Sequence, residues 1–123
     1  MKECSLEECL EYMIDNLNSL VNSRNYCDSI ESFAQWNAAD DLASEWENCG
    51  YFINRLFEAG IITHDIKNKI SEIDNLLSEA SVGGSLYEEA IWTNDGLLNH
   101  RFWELIREKA AVVLNDLLRL SKA

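Results

Sequence analysis

The chain has 123 residues, 47% of them hydrophobic, which suits one domain whose core needs neither disulfides nor metal. Four Trp, four Tyr and four Phe supply large packing groups and exclude a disordered chain. The net charge of −12 argues against nucleic acid and anionic membranes as partners.

In chain order, the N-terminus MKECSLEECLEY has no apolar run of the kind a secretory signal needs. No stretch approaches the roughly 18 apolar residues of a membrane span. There is no proline, and apolar residues recur at helical spacing with no useful strand-like alternation. The expected fold is therefore all-α, a single domain over 1–123.

The first helix opens at Ser5, where Glu8 completes a capping box. Leu6, Leu10, Met13, Leu17 and Leu20 mark its apolar face, which fades near Asn22 to Asn25. A second helical stretch begins near Asp28 with Glu31 three residues on. Its stripe runs through Ile30, Phe33, Trp36, Leu42, Ala43, Trp46, Ile53, Leu56 and Phe57 to Ala59. The spacing fits either one long helix or two, broken near Asn37 or Gly50. Gly60 is placed to end it in the left-handed conformation.

Thr63 or Asp65 starts a third helix, with Ile66, Ile70, Ile73, Leu77 and Ala80 facing inward. Gly83, Gly84 and Ser85 read as a loop. A short helix from Leu86 to Trp92, capped by Ser85 with Glu88, fits the next segment. Thr93 to Gly96 reads as a turn. The last helix spans about Asn99 to Leu120, with Phe102, Ile106, Ala110, Val113, Leu117 and Leu120 as its stripe. The predicted architecture is an antiparallel bundle of four main helices, with room for a short fifth. Trp46 and Ile106 should be buried.

The cysteines stand at 4, 9, 27 and 49 with no CxxC pair, the pattern of reduced thiols in a cytoplasmic protein. No cofactor or metal site is expected. A di-iron bundle needs Glu three residues before His, but Ile61 precedes His64 and Leu97 precedes His100 at that distance. His100 and Glu104, four apart, are within reach of one another on the last helix. Glu8 and Glu11 form ExxE, which resembles half of the magnesium motif of all-α nucleoside triphosphate pyrophosphohydrolases. The other half is missing: Asp28 and Glu31 read DxxE, and Ala34 stands three after Glu31. No nucleophile is flagged, so no enzyme is expected.

The charge is uneven. Residues 1–50 hold eleven acids against Lys2 and Arg24, a net of −9, and 51–123 hold eleven against eight bases, a net of −3. Glu7, Glu11 and Asp15 follow at i, i+4, i+8, and Asp41 and Glu45 repeat the spacing. Like charges four apart cost a helix roughly 0.2–0.5 kcal/mol each. Such a surface fits either a solubility coat or a face kept acidic for a basic partner. For the second, the candidate contacts are Glu31, Asp40, Asp41, Glu45 and Glu47. Gln35, Asn37 and Asn48 lie among them for directional bonding.

The segment WTNDGLLNHRFWELIREKAAVVLNDLL, Trp92 to Leu118, resembles the tails of small helical immunity proteins of bacterial contact-dependent and polymorphic toxin systems. The resemblance rests on Trp92, the Asp95–Gly96 turn, Trp103, Arg107 and Ala110, about a fifth of the chain. It implies a cytoplasmic protein that neutralises one cognate toxin, often a nuclease with a basic cleft, by tight binding. The alternatives are another acidic inhibitor or adaptor, of antitoxin or anti-restriction type, and the magnesium-dependent pyrophosphohydrolase.

Overall fold

A computed structural model describes residues 5–23 and 38–121, and every described element is helical. These are α1 (Leu6–Val21), α2 (Ala38–Glu47), α3 (Gly50–Glu58), α4 (His64–Glu79), a 3₁₀ turn (Glu89–Trp92), α5 (Asn94–Asn99) and α6 (Arg101–Ser121). The expected start of a helix at Asp28, with Ile30, Phe33 and Trp36, lies outside the described residues, as do Cys4, Cys27, Gln35 and Asn37.

The capping box forms as the pattern requires. Glu8 N–H donates to Ser5 Oγ at 3.1 Å, and Ser5 N–H donates to Glu8 Oε1 at 3.4 Å. α1 then buries Cys9, Met13, Leu17 and Leu20, while Leu6 and Leu10 are half-buried. Over the described part of the second helical stretch the chain forms two helices. Asn48 and Cys49 make the break, their N–H groups bonding three residues back to Glu45 and Trp46. Gly50 opens α3 and does not cause a kink within a longer helix. Gly60, at φ +76°, ends that stretch in the left-handed region. Thr63 caps α4, its hydroxyl accepting from Ile66 N–H at 3.3 Å. The whole expected stripe of α4, Ile66 to Ala80, is buried.

α6 lies against both α1 and α4, and α1 makes its broadest contact with α6 and its next with α3. Serving two neighbours widens the buried face of α6. It buries Trp103 and Leu114 beside Phe102, Ile106, Ala110, Val113 and Leu117, while Leu120 is only partly covered. α4 and α6 run antiparallel: Lys69 meets Asp116 at 3.0 Å, and Glu72 three residues later meets Lys109, seven residues earlier, at 2.8 Å. The hydrogen bonds that Lys69 donates to the Asp116 and Asp65 carboxylates raise its pKa. Trp46 and Ile106 are buried as expected, at 3% and 0% exposure.

Between α4 and α6 the structure departs from the expected order. No helix covers Leu86 to Glu88, because Ser85 turns back on α4 and does not cap forward. Its hydroxyl and N–H both donate to Glu79 Oε2, at 2.6 and 3.0 Å. Those two bonds, the side-chain one first, hold the Glu79 pKa below its usual value. Only the 3₁₀ turn Glu89–Trp92 forms. Thr93 to Gly96, expected as a turn, instead opens α5: Thr93 Oγ1 accepts from Gly96 N–H at 2.8 Å. The last helix starts at Arg101 and not Asn99, because the His100 ring takes the capping role. Its Nδ1 accepts from Phe102 N–H at 3.0 Å.

Candidate functional site

α2 carries four of the acids expected to meet a partner, and Glu31 lies outside the described residues. Ala39, Leu42 and Trp46 are the buried positions of this helix. At 100° per residue the carboxylates of Asp40, Asp41, Glu45 and Glu47 occupy about 160° of arc on the opposite side. Asp40, Glu45 and Glu47 are exposed and Asp41 is half-buried. They do not converge on one point. Asp41 and Glu45 share one edge of the arc, and Asp40 and Glu47 the other.

Glu47 borders two adjoining clefts, of about 300 and 200 Å³, between α2, α3 and α4. Trp46 and Asp74 line both of them. Asp74 was not singled out by sequence, because the pairing of α2 with α4 is a tertiary fact. The larger cleft also holds Lys67, whose ammonium sits 4.1 Å from the Phe57 ring centroid. A cation–π contact of this kind leaves the amine at the cleft wall. The two clefts are small, and the smaller is the more polar, its lining including Glu47, Asp74, Ser78 and Ser81.

Cys49, beside these acids, is fully buried, and its Sγ lies 3.7 Å from the Glu45 carbonyl oxygen. Burial first, and the Glu45 charge second, push its pKa up to about 12. A thiol so rarely ionised is a poor nucleophile. Cys9, like Cys49, is a buried thiol. Native protein at pH 8 should therefore leave these two thiols unlabelled by a thiol-specific disulfide reagent, with full labelling only in denaturant. Rapid native labelling of Cys49, read by peptide mass, would contradict the burial.

Of the magnesium half-motif, Glu8 accepts from Ser5 N–H through Oε1 at 3.4 Å, and both Glu8 and Glu11 are exposed. Among the described residues no three His, Cys, Asp or Glu side chains gather as a metal site requires. His100 pairs with Glu88 through Nε2 at 2.7 Å, and its other ring nitrogen serves the helix cap. With Nδ1 accepting, the hydrogen of the neutral ring sits on Nε2, facing Glu88. The bond to Glu88, twelve residues away, was not foreseen; the sequence places only Glu104 within reach of this ring.

The residues that carried the resemblance turn out to be fastenings. Trp92 Nε1–H donates to the Ala80 carbonyl and Trp103 Nε1–H to the Ile91 carbonyl, both at 2.8 Å. The two indoles meet edge to face at 5.9 Å. Arg107 donates through one nitrogen to Ser23 Oγ at 3.0 Å and to the Leu97 carbonyl at 2.8 Å, tying the end of α1 and α5 to α6. Ala110 is fully buried. Trp103 is fully buried and Trp92 and Arg107 are half-buried, while Asp95 of the same group is exposed.

Among the described residues no helix is long and apolar enough to cross a membrane. No family model matches the chain, and no curated protein or solved structure matches it either.

Proposed function

We propose that this chain is a cytoplasmic immunity-type protein that binds and neutralises a cognate bacterial toxin carrying a basic surface, without catalysis of its own. The observation that carries the reading is the carboxylate arc of α2, set opposite a buried apolar face and bordering clefts that Asp74 makes more acidic. Such an arc attracts a basic partner at long range and raises its association rate. The clefts beside it offer places where close pairs can lose water and slow dissociation.

The test begins by co-expressing the chain with the product of the neighbouring reading frame and asking whether they co-purify. The double variant Asp41→Lys, Glu45→Lys is then compared with the parent by surface-based kinetics at two ionic strengths. Binding should weaken by more than about tenfold, a change of about 1.4 kcal/mol. The loss should be larger at low salt, where screening is weaker. Helical dichroism should be unchanged, because neither side chain belongs to the buried set. Equal rates for variant and parent at both salt concentrations would reduce the arc to a solubility coat.

A further inference from the structure

A separate cleft of about 390 Å³ opens on the other side of α4, between the segment after Gly84 and the first turns of α6. Its size falls within the roughly 300–1,000 Å³ of side-chain and ligand pockets. Leu76, Ile91 and Phe102 contribute apolar lining, and Leu86 and Leu105 stand at its edge, 45% and 38% exposed. Tyr87 beside them is 40% exposed. Val112, two turns beyond Leu105 on α6, is 49% exposed and lines a separate groove with Lys69, Glu72 and Lys109. Large apolar groups grouped like this on so charged a chain mark an interaction surface better than single exposed residues do.

The charges at this cleft have a clear sign. Glu88, Glu104 and Glu108 line it, against Arg101 and the His100 ring. Glu104 and Glu108 are one turn apart, flanking Leu105 on the same side of α6. The wall is also held in place beforehand. Leu86 N–H donates to the Glu79 carbonyl at 2.8 Å, Ser85 is tied to the Glu79 carboxylate, and Glu88 to His100. A wall already ordered loses little entropy when something docks.

We propose that this cleft docks a basic amphipathic segment of a protein partner. One apolar side chain seats between Leu76, Leu86 and Leu105, and Lys or Arg residues one turn away meet Glu104 and Glu108. This is the helix-in-groove mode, with an apolar anchor supplying affinity and charge fixing the register. The inference goes beyond the α2 reading and needs none of its carboxylates.

The probe is a synthetic peptide of about 14 residues, four turns of helix, with Leu at i, i+4 spacing in a Lys background. Two controls replace every Leu by Ser or every Lys by Glu. Binding to the full chain is followed by two-dimensional amide NMR. The Leu/Lys peptide should shift amides of residues 86–91 and 101–108. The Ser peptide should bind at least about tenfold more weakly, the loss expected when a buried Leu is removed. The Glu peptide should not bind. Leu105→Lys should weaken the Leu/Lys peptide by a similar factor, and Leu86→Ser serves as a second variant at a site outside any helix. Glu104→Lys with Glu108→Lys should weaken it too and flatten its salt dependence. Asp41→Lys with Glu45→Lys should leave it unchanged, which separates this surface from the α2 face. Equal binding of the Leu and Ser peptides, shifts centred on α2, or no binding of the Leu/Lys peptide would each overturn the proposal.

Discussion

Trp103→Ala should cost about 3–5 kcal/mol, the range for removing a large aromatic from a core. Domains of this kind have about 5–15 kcal/mol in total, so the variant should lose at least about a fifth of its stability. Two losses add. The indole is fully buried at the junction of α6 with the 3₁₀ turn, packed edge-on against Trp92 and Phe102. Its removal also deprives the Ile91 carbonyl of its Nε1–H donor. Trp103→Phe separates the two effects, since it keeps most of the ring volume and loses the bond. That variant should lose about 1–3 kcal/mol, the cost of a buried polar group left unsatisfied. Urea unfolding followed by dichroism measures both. A loss under about 1 kcal/mol for the alanine variant would mean the junction does not hold the fold.

Gly96→Ala should also destabilise, although helix propensity alone favours alanine over glycine by about 1 kcal/mol. Gly96 lies inside α5, and a methyl group there would run into the Ala90 carbonyl, with Thr93 Oγ1 crowding it from another side. The obstacle is backbone, so no side-chain rotation relieves it. The Ala90 carbonyl also accepts from Thr93 Oγ1–H at 2.9 Å, so moving it disturbs the cap of α5. Overpacking of this kind costs about 1–3 kcal/mol, which outweighs the propensity gain. Gly50→Ala is the control, since a methyl group there meets nothing within 4 Å. The same urea series should place the two variants on opposite sides of the parent. A neutral or stabilised Gly96→Ala would show that the 3₁₀ turn yields freely.

Features that depend on near neighbours in the chain were readable from the sequence. The Ser5–Glu8 box, the Thr63 cap, the left-handed Gly60 and the unbroken stripe of α4 each depend on residues within a turn or two. Segment 85–100 was misread because its polar groups bond across the fold or in unusual roles. Ser85 had the right spacing to Glu88 for a cap, but Glu79 on α4 already offers two acceptable bonds. His100 caps α6 through a ring nitrogen, and histidine is not among the residues that signal a helix start. The α2 acids were visible as a charge pattern, whereas their companion Asp74 and the cleft around Leu86 and Leu105 exist only once α4 is placed. Trp92, Trp103 and Arg107, among the residues that carry the family resemblance, stand out in a sequence whether they touch a partner or hold the fold. Their partners identify them as internal ties.

The broad seam between α1 and α6 also governs the order in which the molecule can be built. About 80 residues separate the end of one helix from the start of the other. At about 5–20 residues per second, the ribosome delivers α6 several seconds after α1 has emerged. Through that interval α1 lacks its broadest partner. α1 alone, at 16 residues, is close to the length below which isolated helices are marginal in water. Closure of the seam is a long-range event whose loop entropy must be met before its contacts form, so folding completes only after α6 has cleared the exit tunnel. An arrest that strands α6 in the tunnel leaves α1 with only α2 and α3 to pack against.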